Sequence, residues 1–276
     1  MKSAPFEYVR PRTVAEASAA LAQDGIAVSA IAGGQSLIPM LNLRVALTDL
    51  LVDISRLEEL KAVRETPGGL ELGALTTHAA IEDAKVPDLL GGLMRRVAGQ
   101  ISYRAVRNYG TIGGSVAFAD PAADWPPCLI ALGARVRVTG PNGARSEPVA
   151  EFVRGAYSTS LAPGEIIVGF DIPRPPAPLR WGFAKVARKS GAFAESIAVA
   201  TARAAESSVV LAGASLHARL LPSTSKHVAA SNGSEEALRA AIASDLDAIA
   251  STADAYQRRL HTATVLKAVR EMRAQR

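Results

Sequence analysis

The spacing of apolar residues near the N-terminus predicts a small unit of alternating helices and strands. Thr13 and Glu16 have the spacing of a helix capping box, and alanine- and leucine-rich sequence continues to Gln23. Short apolar runs at 28–32 and 50–54 have the length and composition of buried strands, with a brief helix expected between them at 36–43. We therefore predict an α/β subdomain over residues 1–55.

The middle of the chain, residues 56–173, is predicted to form a second α/β subdomain. Apolar runs predict strands at 69–74, 135–139 and 165–172, and residues 125–132 predict a helix. Thr77 is a candidate cap for another helix, in which His78 would be only a residue of the first turn. Residues 104–124 are rich in small residues and turn formers, so we predict a long loop there. A loop of this length is uncommon unless it binds something.

The last third of the chain, residues 174–276, is predicted to be a separate domain. Residues 174–178 are proline-rich and predict a stiff linker. Beyond them the pattern predicts three strands and then two helices, at 179–188, 197–204, 208–219, 234–243 and 251–272. A three-stranded sheet with the helices on one face would bury the apolar residues of both the strands and the helices. With this domain included, we predict that the chain as a whole is an α+β protein.

Two glycine pairs, each followed by a hydroxyl residue, are candidate binding segments. The first lies in Ala32-Gly33-Gly34-Gln35-Ser36 and the second in Thr111-Ile112-Gly113-Gly114-Ser115. Because glycine has no Cβ, backbone N–H groups at such positions can approach a phosphate closely, although the same residues also suit an ordinary turn. Two such segments could hold the diphosphate of a dinucleotide from two sides. Neither G-x-G-x-x-G nor G-x-x-x-x-G-K-[ST] occurs, so this would be neither a Rossmann nor a P-loop site.

Charge, cysteine content and hydropathy narrow the class of protein. The formal net charge is +5, but the basic residues are dispersed and aromatic residues make up 5% of the chain, which argues against nucleic-acid binding. The single cysteine, Cys128, cannot hold an iron–sulfur cluster alone, and we interpret it as a small buried residue. The histidines lack metal-binding spacing. No membrane-length apolar run or secretory signal is seen, so we expect a cytoplasmic protein.

Two aspartates beside the second glycine pair are candidate ligands for a sugar. Asp120 precedes Pro121, which is typical of a turn, and we favour that role for it. Asp124 has either a structural role or a binding role, in which it would accept hydrogen bonds from ribose or ribityl hydroxyls. The sequence contains no nucleophile elbow and no histidine near a candidate nucleophile, so we name no catalytic residue.

Three motifs, in order, carry a resemblance to a known family. They are AGGQSLIPM at 32–40, RNYGTIGGS at 107–115 and ADPAAD at 119–124. Together they resemble the FAD-binding medium subunit of the molybdenum hydroxylases, the family of carbon monoxide dehydrogenase and of the flavin part of xanthine dehydrogenase. The resemblance covers essentially the whole chain. It implies a vanillyl-alcohol-oxidase (PCMH-type) fold, in which two α/β subdomains hold a non-covalent FAD and the C-terminal domain covers part of it.

The resemblance also implies roles for individual residues. Both glycine segments would line the FAD phosphates and ribityl chain. Asp124 would bind the ribityl or sugar hydroxyls, and Leu161 would lie near the flavin. Lys185 matches a lysine near the ring system, unless it is simply a solvated strand lysine. Gln35 stands where many members have histidine, which puts a proton role there in doubt. The site residues implied in this way are Ala32, Gly33, Gly34, Gln35, Ser36, Leu37, Thr111, Ile112, Gly113, Gly114, Ser115, Asp124, Leu161 and Lys185.

The function implied is that of an oxidoreductase subunit that transfers electrons. A large partner subunit would carry the molybdenum cofactor, a small partner would carry iron–sulfur clusters, and FAD on this chain would pass electrons to an external acceptor, in a dimer of heterotrimers. Two rivals stay open: a free-standing flavin reductase of the same fold, similar to the enolpyruvyl reductase of cell-wall synthesis, and an FAD-binding protein without turnover.

Overall fold

A small parallel sheet begins the chain in the computed structural model, which describes residues 2–175, 178–203, 206–230 and 234–275. Its strand order is β1-β3-β2, and both outer strands run parallel to β3. All four residues of β3 are buried, because a central parallel strand is covered on both faces. The elements are β1 (Glu7–Val9), α1 (Val14–Leu21), β2 (Val28–Ile31), α2 (Leu37–Leu43) and β3 (Leu50–Asp53).

A five-stranded antiparallel sheet forms the centre of the molecule, in the order β4-β5-β10-β6-β7. The predicted strands at 69–74, 135–139 and 165–172 are all present, and the flanking strands β4 and β7 are additional. The elements are β4 (Val63–Thr66), β5 (Gly69–Gly73), α3 (His78–Glu82), α4 (Leu93–Ala98), α5 (Arg104–Arg107), α6 (Ile112–Phe118), α7 (Trp125–Ala131), β6 (Arg135–Gly140), β7 (Gly143–Pro148), α8 (Val149–Phe152), β8 (Val153–Gly155), β9 (Ser158–Thr159) and β10 (Ile166–Pro173).

The long loop predicted at 104–124 is wrong, because the short helices α5 and α6 occupy most of it. The Thr111 side chain caps α6 by accepting a hydrogen bond from the Gly114 N–H. Gly113 lies so close to Ala74 that a Cβ on Gly113 would be 2.6 Å from the Ala74 Cβ. Glycine lowers the helix propensity of this segment, but the absence of a side chain at Gly113 is what lets α6 pack directly on the end of β5.

A second antiparallel sheet, in the order β11-β12-β13-β14, begins the C-terminal region. It has four strands rather than the three predicted, since residues 219–220 form a separate short strand. Ala204 of a predicted strand, and Pro176 and Ala177 of the predicted linker, lie outside the described residues. The elements are β11 (Arg180–Val186), β12 (Ser196–Arg203), β13 (Glu206–Ala212), β14 (Arg219–Leu220), α9 (Pro222–Ala229), α10 (Glu235–Ile249) and α11 (Ala255–Ala274).

The two faces of this C-terminal sheet are buried against different parts of the molecule. Alternate residues such as Phe183 and Val199 join the core of the central sheet and α7, whereas Ala184 and Ala198 pack in the core formed with α9, α10 and α11. The helices thus lie on one face, as predicted, but the described residues form three of them rather than the two predicted, since residues 222–229 form the additional helix α9. The other face holds the C-terminal region against the rest of the chain. This contact brings β11 next to the start of α7.

Candidate functional site

A cavity of about 520 Å³ lies where the two glycine segments, α7 and β11 meet. Its volume falls within the range of about 300–1,000 Å³ that is typical of cofactor and small-molecule sites. Every residue of the predicted site lines it except Ile112. The Ile112 side chain is fully buried in the core, and its N–H donates to the Thr76 carbonyl oxygen at 3.0 Å.

The first glycine segment presents backbone N–H groups that have no partner. It connects β2 to α2, and no group in the described residues accepts a hydrogen bond from the N–H of residues 33–37. Gly34 has a φ of 70°, in the left-handed region that favours glycine. The Gln35 side chain donates to the Gly33 carbonyl oxygen at 2.9 Å, which closes the segment on itself. Successive free amides of this kind attract an anion such as a phosphate.

The second glycine segment differs, because the N–H groups of residues 112–115 are already used inside the protein. Gly113 donates to the Ala74 carbonyl oxygen at 2.9 Å, Gly114 to the Thr111 Oγ1 at 3.0 Å and Ser115 to the Thr111 carbonyl oxygen at 3.0 Å. The segment therefore lines the cavity with the first turn of α6, in which the amides of residues 112–115 are occupied.

Glycine at positions 33 and 113 is required by packing within the protein. A Cβ on Gly33 would lie 2.0 Å from the Tyr109 carbonyl oxygen, and one on Gly113 would lie 2.7 Å from the Ala74 carbonyl oxygen. Only Gly34, with its positive φ, and Gly114, which faces the Thr111 Oγ1, lack such a backbone clash. Two of the four glycines are thus explained by contacts of one backbone with another, without reference to a ligand.

Asp124 and Lys185 form a buried ion pair at the other end of the cavity. The Lys185 Nζ donates to the Asp124 Oδ2 at 2.9 Å and to the Gln100 carbonyl oxygen at 3.1 Å, and each charged side chain is 7% exposed. Burial raises the pKa of Asp124 to about 6, although the Lys185 charge opposes that rise. Lys185 is therefore not a solvated strand lysine.

One oxygen of this aspartate is left without a protein partner. The Asp124 Oδ1 is buried and accepts no hydrogen bond within the described residues. A buried acceptor without a partner is unfavourable, so it is well suited to a hydroxyl or N–H donor on a bound ligand. Asp120 also lines the cavity, but its side chain accepts from the Ala122 N–H at 2.8 Å, the turn role predicted for it.

His78 is a cavity residue whose part in the site the sequence did not indicate. It begins α3 behind the Thr77 cap, as predicted, but the residue is only 5% exposed and lines the cavity. The Trp125 Nε1 donates to the His78 Nδ1 at 3.0 Å. Burial and the nearby Arg107 charge lower the pKa of His78 to about 4, so the imidazole is neutral at pH 7.

Residues 4–175 match the family model described as the FAD binding domain in molybdopterin dehydrogenase. The chain belongs to this family. The flavoprotein is 38% identical over 194 residues to the 6-hydroxypseudooxynicotine dehydrogenase complex subunit alpha of Paenarthrobacter nicotinovorans, covering 70% of this chain and 66% of the relative. It is 37% identical over 198 residues to the carbon monoxide dehydrogenase medium chain of Afipia carboxidovorans, covering 70% and 67%. These alignments span about two thirds of the relatives' length.

Solved structures extend the likeness over the whole fold. Carbon monoxide dehydrogenase from Hydrogenophaga pseudoflava superposes with a TM-score of 0.92 at 30% identity, covering 99% of both chains. The predicted resemblance is thereby confirmed: the chain is a mixed α/β, FAD-binding flavoprotein subunit of the molybdenum hydroxylase family and an oxidoreductase. The free amides of residues 33–37 and the unpartnered Asp124 Oδ1 fit such a cofactor. No helix in the described part of the chain has both the length and the apolar character needed to cross a membrane.

Proposed function

We propose that this flavoprotein is the electron exit of a multi-subunit molybdenum hydroxylase. Electrons would arrive from iron–sulfur clusters on a small partner subunit and leave to an external acceptor, while a large partner carries the molybdenum cofactor. Cys128 is the single cysteine, so thiolates of this chain alone cannot hold such clusters. The proposal is supported by relatives named as the medium chain of a dehydrogenase or as a subunit of a dehydrogenase complex.

The observation that carries the proposal is the pairing of free amides with a buried acceptor in one cavity. We assign the N–H groups of residues 33–37 to the FAD diphosphate and the Asp124 Oδ1 to a ribityl hydroxyl. Ser115 and Leu161 would contact the cofactor along its length, and Lys185 would orient Asp124 beside it. FAD supplies the one- and two-electron chemistry when it is bound, and the protein supplies position and electrostatics.

We further propose that the fold is of the vanillyl-alcohol-oxidase type, with units at 1–55, 56–173 and 174–276. FAD would lie between the first two units, and the third would cover part of it, which is supported by a cavity lined from all three segments. The FAD would be non-covalent, since Cys128 is fully buried and does not line the cavity, and His78, which does line it, lies outside both glycine segments with its Nδ1 bound to the Trp125 indole. A dimer of heterotrimers in the cytoplasm is the assembly that we expect.

The experiment that separates this proposal from its rivals is copurification of the tagged full chain from its native host. Recovery with an iron–sulfur subunit and a molybdenum-containing subunit supports the electron-exit role. A free monomer that oxidises NADPH with a sugar-nucleotide substrate would instead establish a free-standing reductase. A flavin-loaded chain without partners or turnover would identify a simple FAD-binding protein.

A further inference from the structure

The His78 imidazole occupies the point where the two glycine segments meet. Its backbone N–H donates to the Gly110 carbonyl oxygen at 2.9 Å, and a Cβ on Gly110 would lie 2.8 Å from the ring Nε2. Gly110 in turn lies against Gly33, whose Cβ would be 2.9 Å from the Gly110 Cα. The ring edge that carries Nε2 therefore packs on Gly110, which separates it from the segment with free amides, and His78, Gly110 and Gly33 all line the cavity.

Trp125 determines which ring nitrogen carries the proton. An indole N–H is only a donor, so the His78 Nδ1 that receives it at 3.0 Å must be unprotonated. The neutral ring then carries its proton on Nε2. Nε2 has no hydrogen-bond partner among the described residues, and it is not among the polar atoms that are sealed from solvent. His78, a residue that lines the cavity, thus carries a donor with a fixed tautomer and no acceptor among the described residues.

We propose that His78 is a cofactor-binding residue, whose Nε2–H donates a hydrogen bond to an oxygen in the diphosphate–ribityl part of FAD. This inference rests on the proposed occupation of the cavity by FAD. A neutral donor suits this position, because the free amides of residues 33–37 already favour the phosphate charge. Trp125 is the positioning residue, since its indole holds the imidazole in the donor tautomer.

Two substitutions at His78 separate this role from a structural one. His78→Gln places an amide near the position of Nε2 but loses the Trp125 partner, whereas His78→Asn places an amide near Nδ1 and removes the donor at Nε2. We expect His78→Asn to weaken FAD binding about tenfold with little change in the unfolding temperature of the FAD-free chain. His78→Gln should lower that unfolding temperature and keep the FAD Kd within about threefold of wild type.

The measurements are FAD titration by flavin fluorescence and thermal unfolding of the full chain, with its partner subunits present where they copurify. Equal Kd values for the two variants, or weaker binding by His78→Gln than by His78→Asn, would overturn the proposal. Nitrogen-15 NMR of the wild-type ring provides a test that needs no variant. It should show protonated Nε2 before and after FAD, with only the Nε2 and its proton shifted by the cofactor. An Nε2 signal that FAD does not move would contradict the proposal, whereas a wild-type chain that binds no FAD would refute the proposed function instead.

Discussion

Replacing Lys185 by methionine should destabilise the protein in a manner that depends on pH. Methionine keeps most of the aliphatic stem but removes the ammonium that lies 2.9 Å from the Asp124 Oδ2. The Asp124 carboxylate, 7% exposed, would then be buried without its cation. Removal of one partner from a buried pair commonly costs about 3–5 kcal/mol when the remaining charge cannot be neutralised.

Asp124 can be neutralised, however, and this limits the cost. Its pKa is raised from 3.8 to about 6 in the folded protein, so the ionised form is already disfavoured there by about 3 kcal/mol relative to the unfolded chain. Keeping the carboxyl protonated at pH 7 costs about 4 kcal/mol relative to the unfolded chain, in which it is ionised. The carboxyl therefore adds on the order of 1 kcal/mol at most to the cost of Lys185→Met at pH 7, the difference between these two values.

The sign of the pH dependence follows from the raised pKa. In the wild type the contribution of Asp124 to stability is greatest below pH 3.8, falls as the pH rises to about 6 and is level above that. In Lys185→Met the fall continues above pH 6, because the folded carboxyl holds its proton longer. The extra cost should be smallest at pH 6 and should rise to as much as about 3 kcal/mol at pH 8.

Urea unfolding of the full chain at pH 6, 7 and 8 measures this cost directly. Lys185→Met in an Asp124→Asn background is the matched control, and there the cost should not change with pH. A cost of Lys185→Met that is the same at all three pH values would refute the reasoning. So would a pH-dependent cost that persists in the Asp124→Asn background.

Two other outcomes are expected. Gly34→Ala should weaken FAD binding, because a φ of 70° is strained for alanine and the free amides would shift, whereas Gly25→Ala, with a φ of 78° and open space around it, should carry similar strain and leave the FAD Kd unchanged. Equal FAD affinity in both variants would show that the segment at 33–37 does not hold the cofactor. Cys128, fully buried and with a pKa raised by burial, should resist a thiol reagent in the folded chain and react in urea. Rapid reaction of the folded chain would contradict its placement in the core.

Local patterns were sufficient to predict most strands and to single out the two glycine segments, whereas Leu161 and Lys185 were identified only through the resemblance to a known family. The runs at 28–32 and 50–54 formed the strands β2 and β3 because short apolar segments between turns are buried in a parallel sheet. The helix α6 was missed because its glycines have poor helix propensity, and its stability depends on contact with Ala74, which lies far away in the sequence.

The details of the site depend on contacts between distant parts of the chain, which composition and spacing do not reveal. Asp124 and Lys185 were both expected near the cofactor, but their pairing joins residues 61 positions apart. The His78 tautomer depends on Trp125, 47 positions away. The difference between the glycine segments is equally non-local, since the amide of Gly113 is occupied by Ala74.

The FAD content of the complex purified through this chain tests the account most directly. We predict one FAD per copy of the chain, released unmodified by acid precipitation because it is not covalently attached. We also predict that the iron–sulfur clusters and the molybdenum cofactor remain with the other subunits after dissociation. A colourless chain that takes up no FAD in the presence of those subunits would contradict the central claim.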